Sequence, residues 1–191
     1  MASSIEEIKD FHSSTIHDRS QSAGVIIHVQ CHICHLVPNL PDYHDKSIAA
    51  TRESAKRAGV ADRVTFEVSK AKNFPGKDYD FVAVFDCLHD MGDPVGAAAH
   101  VRQSLAKDGT WMIVEPFAND ELKDNLNPVG RVYYSFSTLL CTPCSRSQEV
   151  GLCLGAQAGE TRIREVVTAA GFNRFRRATE TPFNIVYEVR P

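Results

Sequence analysis

The sequence predicts an α/β fold with a mostly parallel sheet and a C-terminal antiparallel hairpin. Runs typical of strands alternate with segments typical of helices, which is the pattern of a parallel sheet with helices on both faces. The run YDFVAVF (79–85) is almost entirely apolar, as expected for a central strand that is buried on both faces. The final stretch, FRRATETPFNIVYEVRP, contains two strand-like runs around a short turn at 180–182, which indicates a hairpin.

Before that central run, the chain supplies a strand, a helix and a second strand. GVIIHV (24–29) is short and β-branched, which favours a buried strand. A helix is expected to begin after Asp45, a good N-cap residue, and to end at Gly59. RVTFEV (63–68) alternates apolar and polar residues, which predicts a strand.

The second half of the chain alternates in the same way. Asp93-Pro94 marks a helix start, because proline suits the first helical position, and this helix is expected to continue until Asp108-Gly109. A buried strand is expected at 110–117. Further helices are expected around 132–140 and at 160–170.

Length and composition favour one domain and exclude several kinds of partner. The chain has 191 residues, 43% hydrophobic content and a formal net charge of -3 with both signs interspersed, so neither a nucleic-acid partner nor a membrane is expected. The start, MASSIEEIKDFHSS, lacks the basic end and apolar core of a signal peptide, so a cytoplasmic location is the expectation. The six cysteines are then expected to be thiols, and the oligomeric state is left open.

The domain organisation follows from the same patterns. Residues 1–24 are expected to form an N-terminal helix and a polar linker, and residues 25–191 to form the α/β domain. Within it, the long segment 118–158 mixes loop with an apolar helix. Ligands of open α/β sheets bind at the carboxyl ends of the strands. We therefore expect this segment to be a lid-like insertion over a binding crevice.

Several stretches of the domain together resemble a known family. They are PDYHDKSIAATRESAKRAGVADRVTFEV, YDFVAVFDCLHDMGDP, LAKDGTWMIVEPF, NPVGRVYYSFSTLLCTP and EVVTAAGFNRFRRATETPFNIVYEVRP, and they cover about three quarters of the chain. The chain resembles class I S-adenosylmethionine-dependent methyltransferases, and more narrowly bacterial, actinobacterial-like members with a winged-helix domain, which is expected to be absent from this truncated chain. The resemblance implies a Rossmann-like fold, S-adenosylmethionine as cofactor and a small-molecule methyl acceptor.

The resemblance also implies a set of cofactor-binding residues. Asp42 matches the acid that binds the cofactor ribose, since a carboxylate can accept hydrogen bonds from both hydroxyls of a diol, and Tyr43 would flank the adenine. Ala71 would present its backbone amide to the adenine. Lys70 stands where related chains have an aspartate that holds the adenine amino group. An ammonium group only donates, so Lys70 cannot make that contact.

Four more residues are expected at the carboxyl ends of the buried strands. By resemblance, Asp86 and Leu88 lie near the methyl donor, and His89 faces the cofactor and substrate. Glu115 ends the next strand and faces the same crevice. His89 and Glu115 are the candidate catalytic bases if the acceptor must lose a proton. The alternatives are a structural role for His89 and a simple strand end at Glu115.

The glycine-rich turn of that family is missing after the first strand. Such a turn lets the backbone approach the cofactor, yet no glycine lies between Gly24 and Gly59. Pro38 and Pro41 disfavour a central strand, and too little chain precedes Asp42 for a complete helix and strand. The first βαβ unit is therefore expected to be incomplete, and cofactor binding to be impaired.

Other functions compete with an active methyltransferase. One is a catalytically inactive methyltransferase-like domain with a binding or regulatory role, which the missing glycine turn favours. A weaker alternative is a zinc-binding module in the Cys/His stretch 28–44, where Cys31 and Cys34 have ligand-like spacing. An isolated CxxC is a weak signal, so no metal ligands are assigned. A nicotinamide oxidoreductase is disfavoured because its GxGxxG turn is absent.

Overall fold

The computed structural model describes residues 25–29, 45–59, 61–62, 66 and 69–191. The strands in these residues are β1 (Val25–Val29), β2 (Tyr79–Phe85), β3 (Leu105–Pro116), β4 (Arg174–Glu180) and β5 (Asn184–Arg190). The α-helices are α1 (Asp45–Arg57), α2 (Pro94–Ser104), α3 (Pro128–Phe136), α4 (Thr142–Arg146) and α5 (Gly159–Ala169). Short 3₁₀ turns occur at Leu88–Asp90 and Leu122–Asn125, and a π-helical turn, Ser137–Cys141, joins α3 to α4.

The described strands form one sheet in the order β1-β2-β3-β5-β4. β1, β2 and β3 are parallel, and β5 pairs antiparallel with both β3 and β4. Phe85 pairs with Val29 on one side and with Val114 on the other, so the carboxyl ends of the three parallel strands lie side by side. The predicted α/β class, a parallel sheet followed by an antiparallel hairpin, is confirmed.

Both faces of the central strand β2 carry packed side chains, as predicted. Val82 and Val84 belong to a large apolar cluster that includes residues of α2 and α5. Phe81 and Ala83 belong to a smaller cluster with residues of β3 and β5. Successive side chains of a strand point to opposite faces, so one apolar run serves both clusters.

The helix before β3 is shorter than predicted. It begins as expected, and Asp93 caps it by accepting a hydrogen bond from the Gly96 N–H at 2.8 Å. It ends at Ser104, because Leu105 takes an extended backbone, pairs with Tyr79 of β2 and buries its side chain. Strand pairing and burial here outweigh the helix propensity of the Leu-Ala-Lys segment, so β3 begins well before the predicted position.

Other predicted elements are confirmed with small shifts at their ends, namely β1, α1, α5 and the terminal hairpin. The apolar helix expected around 132–140 is part of the helical run from α3 to α4. Residues 1–24 and five of the six residues in the predicted strand 63–68 lie outside the described residues. Between β1 and β2, the described residues contain α1 and no strand. Among the described helices, none is both long and apolar enough to cross a membrane.

Candidate functional site

Polar side chains collect where the parallel strands end. Asp86 follows β2, Glu115 is the next-to-last residue of β3, and Asn184 begins the neighbouring β5. Asp86 takes a left-handed backbone with a φ of 47°, while its N–H still donates to the Val114 carbonyl at 2.8 Å. Aspartate is among the few residues besides glycine that adopt this conformation. The chain therefore turns sharply after β2 and enters the 3₁₀ turn Leu88–Asp90.

Glu115 holds this turn against the end of the sheet. One carboxylate oxygen accepts a hydrogen bond from the Leu88 N–H at 2.9 Å, and the other pairs with Nδ1 of His89. Glu115 and His89 are each only 4% exposed. Their pairing is needed because an unpaired charge in the protein interior is strongly unfavourable. The two residues that the sequence proposes as bases are thus partners of each other.

The second ring nitrogen of His89 faces two more buried side chains. Nε2 lies 3.3 Å from Oδ1 of Asp90, and the Cys141 side chain hydrogen-bonds to His89 from the far end of the π-helical turn. Burial alone lowers the pKa of His89, but the charges of Glu115 and Asp90 and the hydrogen bonds to its ring place that pKa well above the ordinary value. These partners favour the protonated form of the imidazole.

Asp86 is the accessible acid of this edge. Its side chain is exposed, and one carboxylate oxygen accepts a hydrogen bond from Nδ2 of Asn184 at 2.9 Å. Partial burial among its neighbours and the charge of Glu115 raise the pKa of Asp86 to about 6. A carboxyl group with this pKa can take up or release a proton near neutral pH.

The segment 118–158 packs directly against the turn after β2. Gln148 donates through Nε2 to the Asp90 carbonyl at 3.0 Å and accepts at Oε1 from the Gly92 N–H at 2.9 Å. More hydrogen bonds run from Ser145 to Met91, from Leu152 to Gly92 and from Gly155 to His89. The segment is therefore attached to the residues that line the strand ends. Its action as a lid stays a prediction.

The first half of this architecture matches a known family. Residues 20–113, just under half of the chain, match the model of the methyltransferase domain family. That range contains β1, β2 and the turn with Asp86 and His89. Over this range the chain is similar to that family.

The chain shares its fold with solved methyltransferases at low sequence identity. An O-methyltransferase family protein from Burkholderia thailandensis is 21% identical, with a TM-score of 0.56, over 76% of this chain and 41% of that chain. The mitomycin 7-O-methyltransferase MmcR is 18% identical, with a TM-score of 0.55, over 78% and 40% of the two chains. PigF, solved with SAH, is 13% identical, with a TM-score of 0.60, over 98% and 48%.

The chain spans about two fifths to one half of the length of these solved structures. At such identities the likeness shows a common fold. None of the curated proteins matches the chain at a significant level.

The fold brings together four of the predicted site residues, which are Asp86, Leu88, His89 and Glu115. Of these, Asp86 has an accessible side chain, whereas the other three are buried. Leu88 uses its N–H for Glu115, and its carbonyl accepts a hydrogen bond from the Met91 N–H at 3.3 Å. Any contact of Leu88 with a cofactor therefore has to come through atoms that already have protein partners.

The remaining predicted cofactor residues lie apart from this cluster or beyond the described residues. Lys70 and Ala71 are in the loop before β2. Lys70 is exposed and its N–H donates to Oδ1 of Asn73 at 3.2 Å, while Ala71 packs against the large apolar cluster. Asp42 and Tyr43 lie outside the described residues, so their ribose and adenine contacts stay predictions.

Three residues of the cluster were not predicted from the sequence. Asp90 directly follows His89 in the motif FDCLHDM, so its position was an available signal. Asn184 could be found from the hairpin, because an antiparallel strand beside β3 begins where β3 ends. Cys141 had no signal in the sequence, because the π-helical turn that it ends is seen only in the structure.

A groove of about 540 Å³ lies elsewhere, along α3. Leu126, Arg131, Tyr134 and Leu139 are among its lining residues. The residues at the carboxyl ends of the strands do not line this groove. Its size alone therefore does not make it the candidate active site.

The raised pKa of Asp86 predicts a pH dependence of stability. Because the group has a pKa of about 6 when folded and 3.8 ordinarily, the folded state binds more protons between these values. Its contribution to the free energy of unfolding is thus present below about pH 3.8 and lost as the pH rises to about 6. We expect the stability of the wild type relative to Asp86→Asn to fall across this window in urea unfolding. A difference that is constant across the window would contradict the raised pKa.

Proposed function

We propose that the chain is an S-adenosylmethionine-dependent methyltransferase that acts on an oxygen, nitrogen or carbon of a small molecule. The observation that supports this most directly is the cluster of polar side chains at the ends of β2 and β3. There the accessible carboxyl group of Asp86 lies beside the buried pair of Glu115 and His89. This edge of an open α/β sheet is where ligands bind.

The residues present suit the proposed cofactor in part. S-adenosylmethionine carries a positive sulfonium group, and the exposed carboxylate of Asp86 offers a complementary charge above its pKa of about 6. Asp42 is proposed to bind the ribose, Tyr43 to flank the adenine, and the amide of Ala71 to contact it. Lys70 offers no acceptor for the adenine amino group. When bound, the cofactor supplies an electrophilic methyl group.

Weak cofactor binding is part of the proposal. The sequence has no glycine between 24 and 59, where a close backbone approach to the cofactor is expected. We therefore propose an affinity reduced by side chains at that turn. The same feature keeps open the alternative of a catalytically inactive domain that binds or regulates a partner.

The chain's own contribution to the reaction would be mainly positioning. Holding two reactants in line can supply much of a barrier reduction. We propose that the segment 118–158 excludes water from the strand ends. If the acceptor must lose a proton, Asp86 joins His89 and Glu115 as a candidate base, because it is accessible and its pKa of about 6 suits the task. For His89 to act, it must first release Glu115 or Asp90. We propose Glu115 as the residue that positions His89.

The choice of a small-molecule acceptor rests on the solved relatives. One of them is described as a mitomycin 7-O-methyltransferase. The identity of the acceptor is outside this proposal.

The test is a calorimetric titration of the purified chain with S-adenosylhomocysteine. We expect micromolar binding, which corresponds to about -8 kcal/mol. Asp86→Ala and Asp42→Ala should each weaken it by about tenfold or more. The control is Glu165→Ala, which removes an exposed carboxylate on α5 whose partner is Arg162 at 3.3 Å. It should bind like the wild type.

The outcomes separate the competing functions. Binding that is weakened by both crevice variants and unchanged by the control would support the proposal, and acceptors could then be screened. A folded chain that binds no S-adenosylhomocysteine would overturn it and favour the inactive, partner-binding domain. Binding that neither Asp86→Ala nor Asp42→Ala changes would place the ligand away from this crevice.

A further inference from the structure

We propose that His89, Asp90 and Cys141 form a binding site for a zinc ion. One ligand atom from each of the three side chains lies within 4.8 Å of the other two, and all three residues are buried. Imidazole nitrogen, carboxylate oxygen and thiolate sulfur are the ligand types that zinc uses in proteins. The site is distinct from the Cys/His stretch 28–44.

The distances are close to those of a metal site. Zinc binds nitrogen and oxygen at about 2.0–2.2 Å and sulfur at about 2.3 Å, so tetrahedral ligands lie roughly 3.3–3.8 Å apart. Nε2 of His89 is 3.3 Å from Oδ1 of Asp90, which already fits this range. The three ligand atoms lie within 4.8 Å of one another, so the thiol needs to approach by about 1.3 Å at most. Three protein ligands leave a fourth position for water or another small ligand.

Glu115 supplies the carboxylate partner that the second ring nitrogen of a metal-bound histidine usually has. A zinc-ligating histidine almost always donates its other ring N–H to a carboxylate or carbonyl, which fixes the tautomer and the ring orientation. Nδ1 of His89 pairs with Glu115, so Nε2 is the nitrogen turned toward Asp90. Glu115 is itself fixed by the Leu88 N–H at 2.9 Å. The ligand ring is therefore oriented before any ion binds.

The cysteine is the residue that points to a metal. A histidine between two carboxylates is explained by charge pairing alone. Cys141 comes from a separate part of the chain, hydrogen-bonds to His89 and places a sulfur at the third corner of the cluster. One carboxylate and one thiolate would balance the charge of a divalent ion. The mixture of nitrogen, oxygen and sulfur favours zinc over magnesium or calcium, which prefer oxygen ligands.

Such an ion would join two regions that otherwise meet through hydrogen bonds. His89 and Asp90 belong to the turn after β2, and Cys141 ends the π-helical turn of the segment 118–158. The ion would fix this segment over the strand ends. This inference does not depend on methyl transfer, because cobalt or zinc binding is measured separately from S-adenosylhomocysteine binding.

The experiment uses Co²⁺ as a spectroscopic probe for zinc in a Cys31→Ser/Cys34→Ser background. That background removes the thiols of the other candidate stretch. We expect one equivalent of Co²⁺ with a thiolate-to-cobalt charge-transfer band and the strong visible bands of four-coordination, both lost when Zn²⁺ is added. Cys141→Ser should abolish the charge-transfer band. Cys153→Ser, which removes a partly buried thiol outside the cluster, should leave it intact.

Two outcomes of the cobalt titration would reject the zinc site. A folded background protein that shows no charge-transfer band, or an unchanged band in Cys141→Ser, would overturn it. If Cys141→Ser fails to fold, peptide mapping of the folded background protein decides instead. Zn²⁺ should then slow maleimide labelling of Cys141 at least tenfold and leave labelling of Cys153 unchanged. Equal labelling rates of Cys141 with and without Zn²⁺ would reject the site.

Discussion

Glu115→Ala should lower the free energy of unfolding by about 3–5 kcal/mol, because it removes one partner of a buried ion pair. His89 would remain buried with its charge partly uncompensated, and the Leu88 N–H would lose its acceptor, which lies at 2.9 Å. Urea unfolding followed by tryptophan fluorescence measures the change, since Trp111 is the only tryptophan in the chain and is buried. A chelator in the buffer excludes any contribution from a bound ion.

Two other glutamate variants serve as comparisons for the loss of stability in Glu115→Ala. Glu115→Gln keeps an acceptor for the Leu88 N–H but removes the charge beside His89, so its effect should be smaller than that of alanine. Glu149→Ala removes an exposed partner of Lys72, and an exposed pair is worth no more than about 1 kcal/mol. If Glu115→Ala cost no more than Glu149→Ala, the buried network would not be holding the turn.

Trp111→Ala should also destabilise the fold by about 3–5 kcal/mol, the usual cost of deleting a large aromatic side chain from a core. Trp111 is 1% exposed, and its ring centroid lies 5.5 Å from that of Phe172 in the large apolar cluster. It occupies β3 between Val82 of β2 and Val189 of β5. Unfolding must be followed by circular dichroism, because the variant lacks the fluorescent residue.

Trp111→Phe is the matched variant for this prediction. The indole N–H of Trp111 has no hydrogen-bond partner within the described part of the chain. Phenylalanine keeps an aromatic ring against Phe172 and removes that buried donor, so its effect should stay below about 1.5 kcal/mol. A loss as large as that of alanine would contradict the expectation that an aromatic ring against Phe172 provides most of this stabilisation.

Elements with strong local signals could be predicted from the sequence. YDFVAVF has no polar face to expose, so it had to be an inner strand, and Asp93-Pro94 supplies both a cap and a first helical residue. The start of β3 could not be predicted in the same way. Its first residue, Leu105, is extended because Tyr79 pairs with it. That partner lies outside any local sequence window.

The candidate site was predicted in position but not in its contacts. Strand order places Asp86, His89 and Glu115 at one edge of the sheet, and this follows from the sequence. Which groups face one another depends on packing. A π-helical turn ends at Cys141 and brings it to His89. No hydrophobic periodicity in the sequence predicts that turn. The cofactor contacts assigned to Asp42 and Tyr43 stay predictions.

The position of β5 has a consequence for how the chain folds during synthesis. β5 is the last of the described strands in chain order, yet it lies inside the sheet between β3 and β4. Until residues 184–190 leave the ribosome, β3 has an unpaired edge and β4 has no neighbour to pair with. An unpaired apolar edge is a template for aggregation. Until β5 is made, most of the buried core residues are present but the sheet is incomplete, and such incomplete states are prone to aggregation.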